Sequence, residues 1–247
     1  MGLAHNPKVS MDGLICYIDP ANPRCYQGTS SYLDLSGNGN DMSLLSGTYD
    51  STNKWIESTT VNGTDYLQAS MANSTTINNT FSVTSGGWAI EEIVRIDDTT
   101  YPEAAAGTTI SGPAYNAGQV GFDWNHGEYL STGYIDIGMS DGSQSSGYGQ
   151  RISLQLEDKY KNGGWMHRYI YWNRSAQKVG VWYNGKFQSE GTITVDGSFY
   201  DGGGLSIGTL YGWQHDGARS IFRIYNRLLS DDEIVGNFNA TKSRFGL

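Results

Sequence analysis

Ser220-Ile221-Phe222-Arg223-Ile224-Tyr225-Asn226-Arg227-Leu228-Leu229-Ser230-Asp231-Asp232-Glu233-Ile234 passes from one periodicity to another within fifteen residues. From Ser220 to Asn226 the residues alternate as in a half-buried strand. Phe222 and Ile224 take the inward face; Ile221, Arg223 and Tyr225 take the other. At Ser230 the pattern changes to that of a short helix. The Ser230 hydroxyl can cap the first turn, and Glu233, three residues on, completes a capping box. Ile234, Val235 and Phe238 are the expected apolar stripe of this helix. The segment therefore reads as a return strand followed by a closing helix.

Other strands lie upstream. Gly13 to Asp19 reads as one, ended by Pro20 and Pro23. Trp88 to Ile96, Gln119 to Trp124, Arg151 to Glu157 and Trp165 to Trp172 follow, with short strands expected at Ile193 to Val195 and Leu205 to Ile207. In Trp165–Trp172, Met166, Arg168, Ile170 and Trp172 share one face, and His167, Tyr169 and Tyr171 the other. Val179 to Phe187 is a hairpin, because Asn184-Gly185 is the dipeptide that a type I′ turn requires. Residues 68–82 are polar and read as a loop. Glu91 and Glu92 point to opposite faces of their strand. An inward Glu92 needs a partner, since an unpaired buried carboxylate is very costly, and Arg168 or Arg223 can serve.

The composition agrees with an all-β chain. Its 247 residues include 33 Gly, 17 Tyr and 7 Trp but only 5 Pro, which suits pleated surfaces joined by many turns. The net charge of −9 excludes binding to nucleic acid through its phosphates and equally to an anionic membrane surface. No run approaches a transmembrane span, and Met1 to Ser10 has no apolar core for a secretory signal, so release into the cytoplasm is expected. Cys16 and Cys25 form no metal motif and read as free thiols. No repeat or linker divides the chain. The expected organisation is an N-terminal arm, 1–12, and a single domain, 13–247.

The chemistry-bearing residues are sparse. Glycoside hydrolysis needs two carboxyls facing one sugar, about 5 to 10 Å apart. Glu91-Glu92-Ile93-Val94-Arg95-Ile96-Asp97 is the nearest run, and its adjacent acids diverge. The histidines His5, His126, His167 and His215 are scattered, and neither a nucleophile motif nor zinc spacing occurs. No cofactor and no metal is expected, with calcium as an open alternative at Asp34 with Asn38, or at Asp216. Two Gly-rich loops, 97–118 and 125–149, are the places for a specific task. The second carries Tyr129, Tyr134, Asp141 and Tyr148, a set that suits a sugar, whose C–H face packs on rings while carboxylates take its hydroxyls. It equally suits a protein interface.

Several runs resemble a known family. Gly13-Leu14-x-x-Tyr17-x-Asp19 with Asn22-Pro23, then Tyr32-x-Asp34-Leu35-Ser36-Gly37-Asn38-Gly39-Asn40, is similar to the opening of laminin G-like domains in bacteriophage structural proteins. Val61 to Leu67, Trp88 to Ile96, the 179–187 hairpin and the closing Arg223-Ile224-Tyr225-Asn226-Arg227 with Leu228-Leu229-Ser230-x-x-Glu233-Ile234 are similar to later segments of the same family. The resemblance covers 13–67, 88–96 and 165–247. It implies a concanavalin A-like jelly-roll sandwich of two antiparallel sheets with a short C-terminal helix.

For function, the resemblance implies a non-enzymatic virion protein, assembled in the host cytoplasm. A capsid decoration or appendage subunit is one reading, with other virion proteins as partners and a homo-oligomeric state. His5, Asn6, Pro7 and Lys8 would then belong to an assembly arm docked on a neighbouring subunit, unless the arm folds back on its own sandwich. A lectin-like adhesion module of a tail fibre, binding host surface polysaccharide through the two long loops, is the alternative. A glycoside hydrolase is a third, disfavoured by the missing carboxylate pair.

Overall fold

The computed structural model describes residues 8–61, 64–66, 68–72, 74–82, 86–97, 108–110, 120–126, 133–141, 150–157, 164–195, 205–207, 209–210, 213–214 and 217–247. The first strands are β1 (Leu14–Ile18), β2 (Ser31–Tyr32), β3 (Met42–Ser46), β4 (Thr48–Asp50), β5 (Trp55–Glu57), β6 (Thr59–Val61), β7 (Thr64–Tyr66) and β8 (Gln68–Met71). After helix α1 (Thr75–Phe81) come β9 (Gly87–Ile96), β10 (Thr108–Ile110), β11 (Val120–His126), β12 (Tyr134–Asp141) and β13 (Gln150–Gln155). The last third holds β14 (Gly164–Asn173), β15 (Lys178–Tyr183), β16 (Lys186–Thr192), β17 (Leu205–Ile207), β18 (Thr209–Leu210), β19 (Trp213–Gln214), β20 (Gly217–Tyr225) and helix α2 (Asp231–Thr241).

Among the described residues, the largest sheet has eight strands in the order β16-β15-β14-β9-β20-β5-β4, with β1 also paired to β20. Facing it are a five-stranded sheet, β10-β17-β8-β3-β2, and a three-stranded one, β11-β12-β13. The strands pair antiparallel throughout. One apolar core fills the sandwich. Ile90, Val94, Ile170, Trp172, Phe222 and Ile224 of the large sheet meet Met71, Phe122, Trp124, Ile137 and Leu205 from the facing strands. The antiparallel β-sandwich with its short C-terminal helix is the architecture expected from the sequence.

Strand β9 lies in the middle of the large sheet, between β14 and β20. Its even positions face the core and its odd positions face outward, so Glu91 and Glu92 are buried on opposite sides. Glu92 accepts from Arg168 Nη2 at 2.5 Å, from Arg219, and from Trp124 Nε1 of the facing strand β11 at 3.1 Å. It therefore ties the two layers together. The second cation is Arg219 and not Arg223. The register of β20 against β9 shifts between Arg219 and Ile221, and this β-bulge turns Arg219 inward, against the simple alternation. Arg223 serves the other side: its Nη1 lies 3.0 Å from Glu91. His167 Nε2 is 2.6 Å from Glu91, and Asn237 Nδ2 donates to it at 2.7 Å.

Asn237 belongs to α2, so the closing helix is docked on the sheet through Glu91. The capping box at Ser230 and Glu233 is present. The expected stripe is corrected at one position: Ile234 and Asn237 face the sheet, while Val235 is 37% exposed. An apolar residue one step from Ile234 is rotated by about 100° on a helix and leaves the buried face.

Other local readings are resolved as follows. Gly37 and Gly39 take positive φ, and Asp34 accepts from the backbone of Tyr17, Ser36 and Asn40, so the Asp34 loop is a capped turn. Among the described residues no group of three His, Cys, Asp or Glu side chains could hold a metal ion. Cys16 and Cys25 are free and buried; burial pushes the Cys25 thiol up to about 12. Residues 68–82, read as a loop, contain β8 and α1. Ile193 and Val195 point inward but join no ladder among the described residues, because their amides are taken by Gln177. His5, Asn6 and Pro7 lie outside the described residues, and Lys8 is exposed. Ser10 is bound to the closing helix: its amide donates to Asn237 and its hydroxyl donates to Glu233, both at 2.7 Å. Among the described residues no helix is long and apolar enough to cross a membrane.

Two predictions follow from the paired carboxylates. Glu92→Gln leaves two buried guanidinium groups around a neutral side chain and should cost about 3–5 kcal/mol in denaturant unfolding. Exchanging Glu92, Arg168 and Arg219 together for apolar residues of similar size should restore most of it; a loss under about 1 kcal/mol for Glu92→Gln alone contradicts the account. Burial alone would raise Glu91, but the charge of Arg223 and the contacts of His167 and Asn237 outweigh it and hold the carboxyl near about 2, from an ordinary 4.5. A depressed carboxyl stabilises the fold above its unfolded value. Its contribution, about 3 kcal/mol, is present above pH 4.5 and lost as pH falls toward 2. The difference in unfolding free energy between the native chain and Glu91→Gln should shrink across that window, and a constant difference contradicts it.

Candidate functional site

The outer face of the large sheet is covered unevenly. Helix α2 lies over Leu14, Ala89, Tyr169 and Tyr225, and Phe245 with Leu247 covers Ile93 and Ile221. At the β14-β15-β16 end, past the start of α2, the face opens into a cleft of about 420 Å³. This volume lies within the range of small-molecule sites.

The strands supply the floor. Tyr169 and Tyr171 stand on the outward side of β14, opposite the core residues Ile170 and Trp172. Trp182 stands outward on β15 because Val181 and Tyr183 face the core. Phe187 of β16 packs edge-on to Trp182, with ring centroids 5.7 Å apart, and remains 42% exposed. Asn184 and Gly185 have φ of 50° and 70°, and this tight type I′ turn brings Phe187 beside Trp182. Leu228 and Leu229, with Ile234 and Asp231 of α2, form the wall. Tyr169 fixes that wall, accepting from the Leu229 amide at 2.8 Å.

Gly180 shapes the floor. Its register partners are Tyr171 on one side and Glu190 on the other. A Cβ at position 180 would stand 2.4–2.6 Å from the Tyr171 ring and hydroxyl. The bare backbone lets Tyr171 lie across β15 and donate to Glu190 Oε2 at 2.8 Å. Burial first, then this hydrogen bond, pushes the phenol up from its ordinary value, so it remains a donor. Asp231 is the one charged residue lining the cleft among those described, and Asn173 adds an amide. The site thus combines half-buried aromatic faces with a carboxylate and an amide.

Neither of the described residues chosen from sequence for a sugar, Tyr134 and Asp141, lines this cleft. Tyr129 and Tyr148 lie outside the described residues, as does most of the 97–118 loop and of 125–149. Tyr134 and Asp141 are described, but they are the two ends of β12. Seven steps of extended chain separate them by roughly 23 Å, and the odd spacing sends them to opposite faces. The structure does not bring them together. β12 itself lies in what reads as an open region in the sequence. Glu91 and Glu92 are fully buried around their cations and present no carboxylate to a substrate. The cleft residues Trp182, Tyr171, Phe187, Asn173 and Asp231 were missed. Their signal was the outward face of two adjacent strands carrying rings around one glycine.

Comparison with solved structures places the fold. The binding domain of Paraclostridial Mosquitocidal Protein 1 superposes at a TM-score of 0.62 and 16% identity, over 93% of this chain and 52% of that one. The binding domain of botulinum neurotoxin DC in complex with SialylT gives 0.63 and 13%, over the same shares. A botulinum neurotoxin type C structure, described by cell entry dependent upon interaction with two ganglioside molecules, gives 0.65 and 12%, again over 93% and 52%. These identities establish a shared fold, and the chain spans about half the length of these relatives. No protein-family model and no curated protein sequence matches the chain.

Gly180→Ala tests the geometry of the floor. The ring of Tyr171 must leave its place over β15, while the strand gains a residue better suited to it, so stability should change by only about 1 kcal/mol. A crystal structure of the variant should show the Tyr171–Glu190 hydrogen bond broken; an unmoved ring contradicts the assignment.

Proposed function

We propose that this chain is a non-enzymatic, lectin-like binding domain that takes carbohydrate in the cleft between β14, β15, β16 and the start of α2. The observation that carries the reading is the convergence of Tyr171, Trp182 and Phe187 with Asp231 and Asn173 around one open cavity. A pyranose has an apolar C–H face and a rim of hydroxyls. Aromatic side chains offer large, stiff surfaces for the first, and a carboxylate and an amide supply acceptors and a donor for the second. The fold supports the same direction: the neighbours named above are binding domains, two of them described with SialylT or with gangliosides. Those ligands are said of chains twice this length, so they support carbohydrate as the class of ligand and neither its charge nor its position. The enclosure of Glu91 and Glu92 supports the absence of glycosidase chemistry at the nearest acid pair. A virion setting keeps the opening and closing motifs as its support and has no counterpart among these neighbours.

The test is binding of the full chain to an array of oligosaccharides, followed by calorimetry on the best ligands. Trp182→Ala removes the largest half-exposed ring of the cleft and leaves the core between the two layers of the sandwich untouched. It should weaken binding at least about tenfold, the loss expected for a central aromatic contact, with an unchanged circular dichroism spectrum. Binding unaffected by Trp182→Ala, or no retained oligosaccharide, removes the proposal.

A further inference from the structure

Resting on the carbohydrate reading of this cleft, we infer that the site selects neutral sugar residues, hexoses or N-acetylhexosamines, and rejects acidic ones such as sialylated or sulfated termini. The inference comes from the charges that face the cavity from each element around it. Asp231 is the one charged residue lining it among those described, and it is exposed. The basic residues of the surrounding elements are already answered. On β15, Lys178 lies 3.8 Å from Glu190. On β16, Lys186 pairs with Glu157. Arg227, before the helix, pairs with Glu233 and Asp12. Arg168 of β14 points into the core to Glu92, and Arg174 donates to the Val195 carbonyl.

A helix start is ordinarily a place for anions, through its free amides and the positive end of its dipole. The start of α2 is an exception that its own sequence creates. Asp231, Asp232 and Glu233 fill the first turn, and the Ser230 and Glu233 amides are consumed in the capping box. An arriving anion meets carboxylates where another helix would offer N–H groups. The whole chain adds to this with its net charge of −9.

For a neutral sugar the same group is an advantage. An ionised carboxylate accepts two hydroxyl hydrogen bonds, and such charge-assisted bonds are about twice as strong as neutral ones. Asn173 both donates and accepts. For an acidic sugar, one carboxylate about 5 Å from Asp231 weakens binding roughly fourfold in a water-like dielectric, and more where the cleft walls exclude water.

The experiment pairs neutral oligosaccharides with the same oligosaccharides capped by sialic acid, on one array. Native chain, Asp231→Asn and Trp182→Ala are compared at ionic strengths of about 0.01 M and 1 M, where screening lengths are about 30 Å and 3 Å. Asp231 follows the capping residue, so its amide variant retains the capping box. The native chain should bind neutral members at least about tenfold tighter at low salt, since several carboxylates act together there. Asp231→Asn should narrow that gap by about fourfold or more, and high salt should narrow it too. Trp182→Ala should weaken binding of both kinds of oligosaccharide at least about tenfold. Sialylated members bound as tightly as neutral ones, with that binding weakened in Trp182→Ala, overturns the selectivity while leaving the site in place. A gap unmoved by Asp231→Asn overturns it likewise. Binding of undiminished affinity in Trp182→Ala removes the carbohydrate site itself.

Discussion

Two adjacent carboxylates in the middle of a sheet set the terms for this domain. Neighbouring residues of a strand face opposite ways, so Glu91 and Glu92 are buried in different layers and neither can share the other's partners. Each draws partners from both flanking strands: the guanidinium groups of Arg168 and Arg219 for Glu92, and the His167 ring and the Arg223 guanidinium for Glu91. The arrangement admits one order, β14-β9-β20, and one register. A slip of β14 by a single residue would carry Arg168 to the helix side and His167 into the core, leaving charge unpaired in both layers. Apolar residues could fill the same space, but they would tolerate such a slip more readily than ions do. Trp124 extends the constraint across the sandwich, and Asn237 extends it outward to the closing helix.

Much of this was legible from the residues. Two-residue alternation found β14 and β20, because these strands have one face on the core and the other turned outward, and the Asn184-Gly185 turn found β15. Ser230 with Glu233 gave the helix start, since a capping box is local chemistry. What escaped depends on contacts between distant residues. The bulge between Arg219 and Ile221 breaks the alternation without any Gly or Pro to announce it, so Arg223 looked as good a partner for Glu92 as Arg219. β8 and α1 are short and polar; they form because Ala69 and Met71 join the core and because the Ser74 hydroxyl caps the Ile77 amide. The cleft was hidden for a similar reason. Its rings come from three strands and its acid from a helix, and only folding shows that Gly180 lets Tyr171 reach across to Glu190.

The cleft also explains how the outer face is divided. A sheet packed on one side only would expose a broad apolar surface. Here α2 and the residues after it cover most of that surface. Arg244 holds the end of the chain by donating to Asp19, to the Lys54 carbonyl and to the Ser220 hydroxyl. The covering stops short of Tyr171, Trp182 and Phe187. A part of the sheet that would otherwise be core is thus left open with a charged helix start at its border, and selectivity follows from which side chains stand at that border.

The pairing of the chain's ends has a consequence for how the domain comes into being. Ser10 binds Asn237 across 227 residues of sequence, β1 pairs with β20, and β20 is also a neighbour of β9. During synthesis the first half of the chain therefore waits. Glu91 and Glu92 have been made long before the strand that carries Arg219 and Arg223, and the large sheet cannot close until β20 has left the ribosome. Contacts of such long separation make folding slow and leave strand edges unpaired in the interval. The domain therefore assembles as a whole only once β20 has been made, and a nascent chain stalled before β20 should be a client for chaperones.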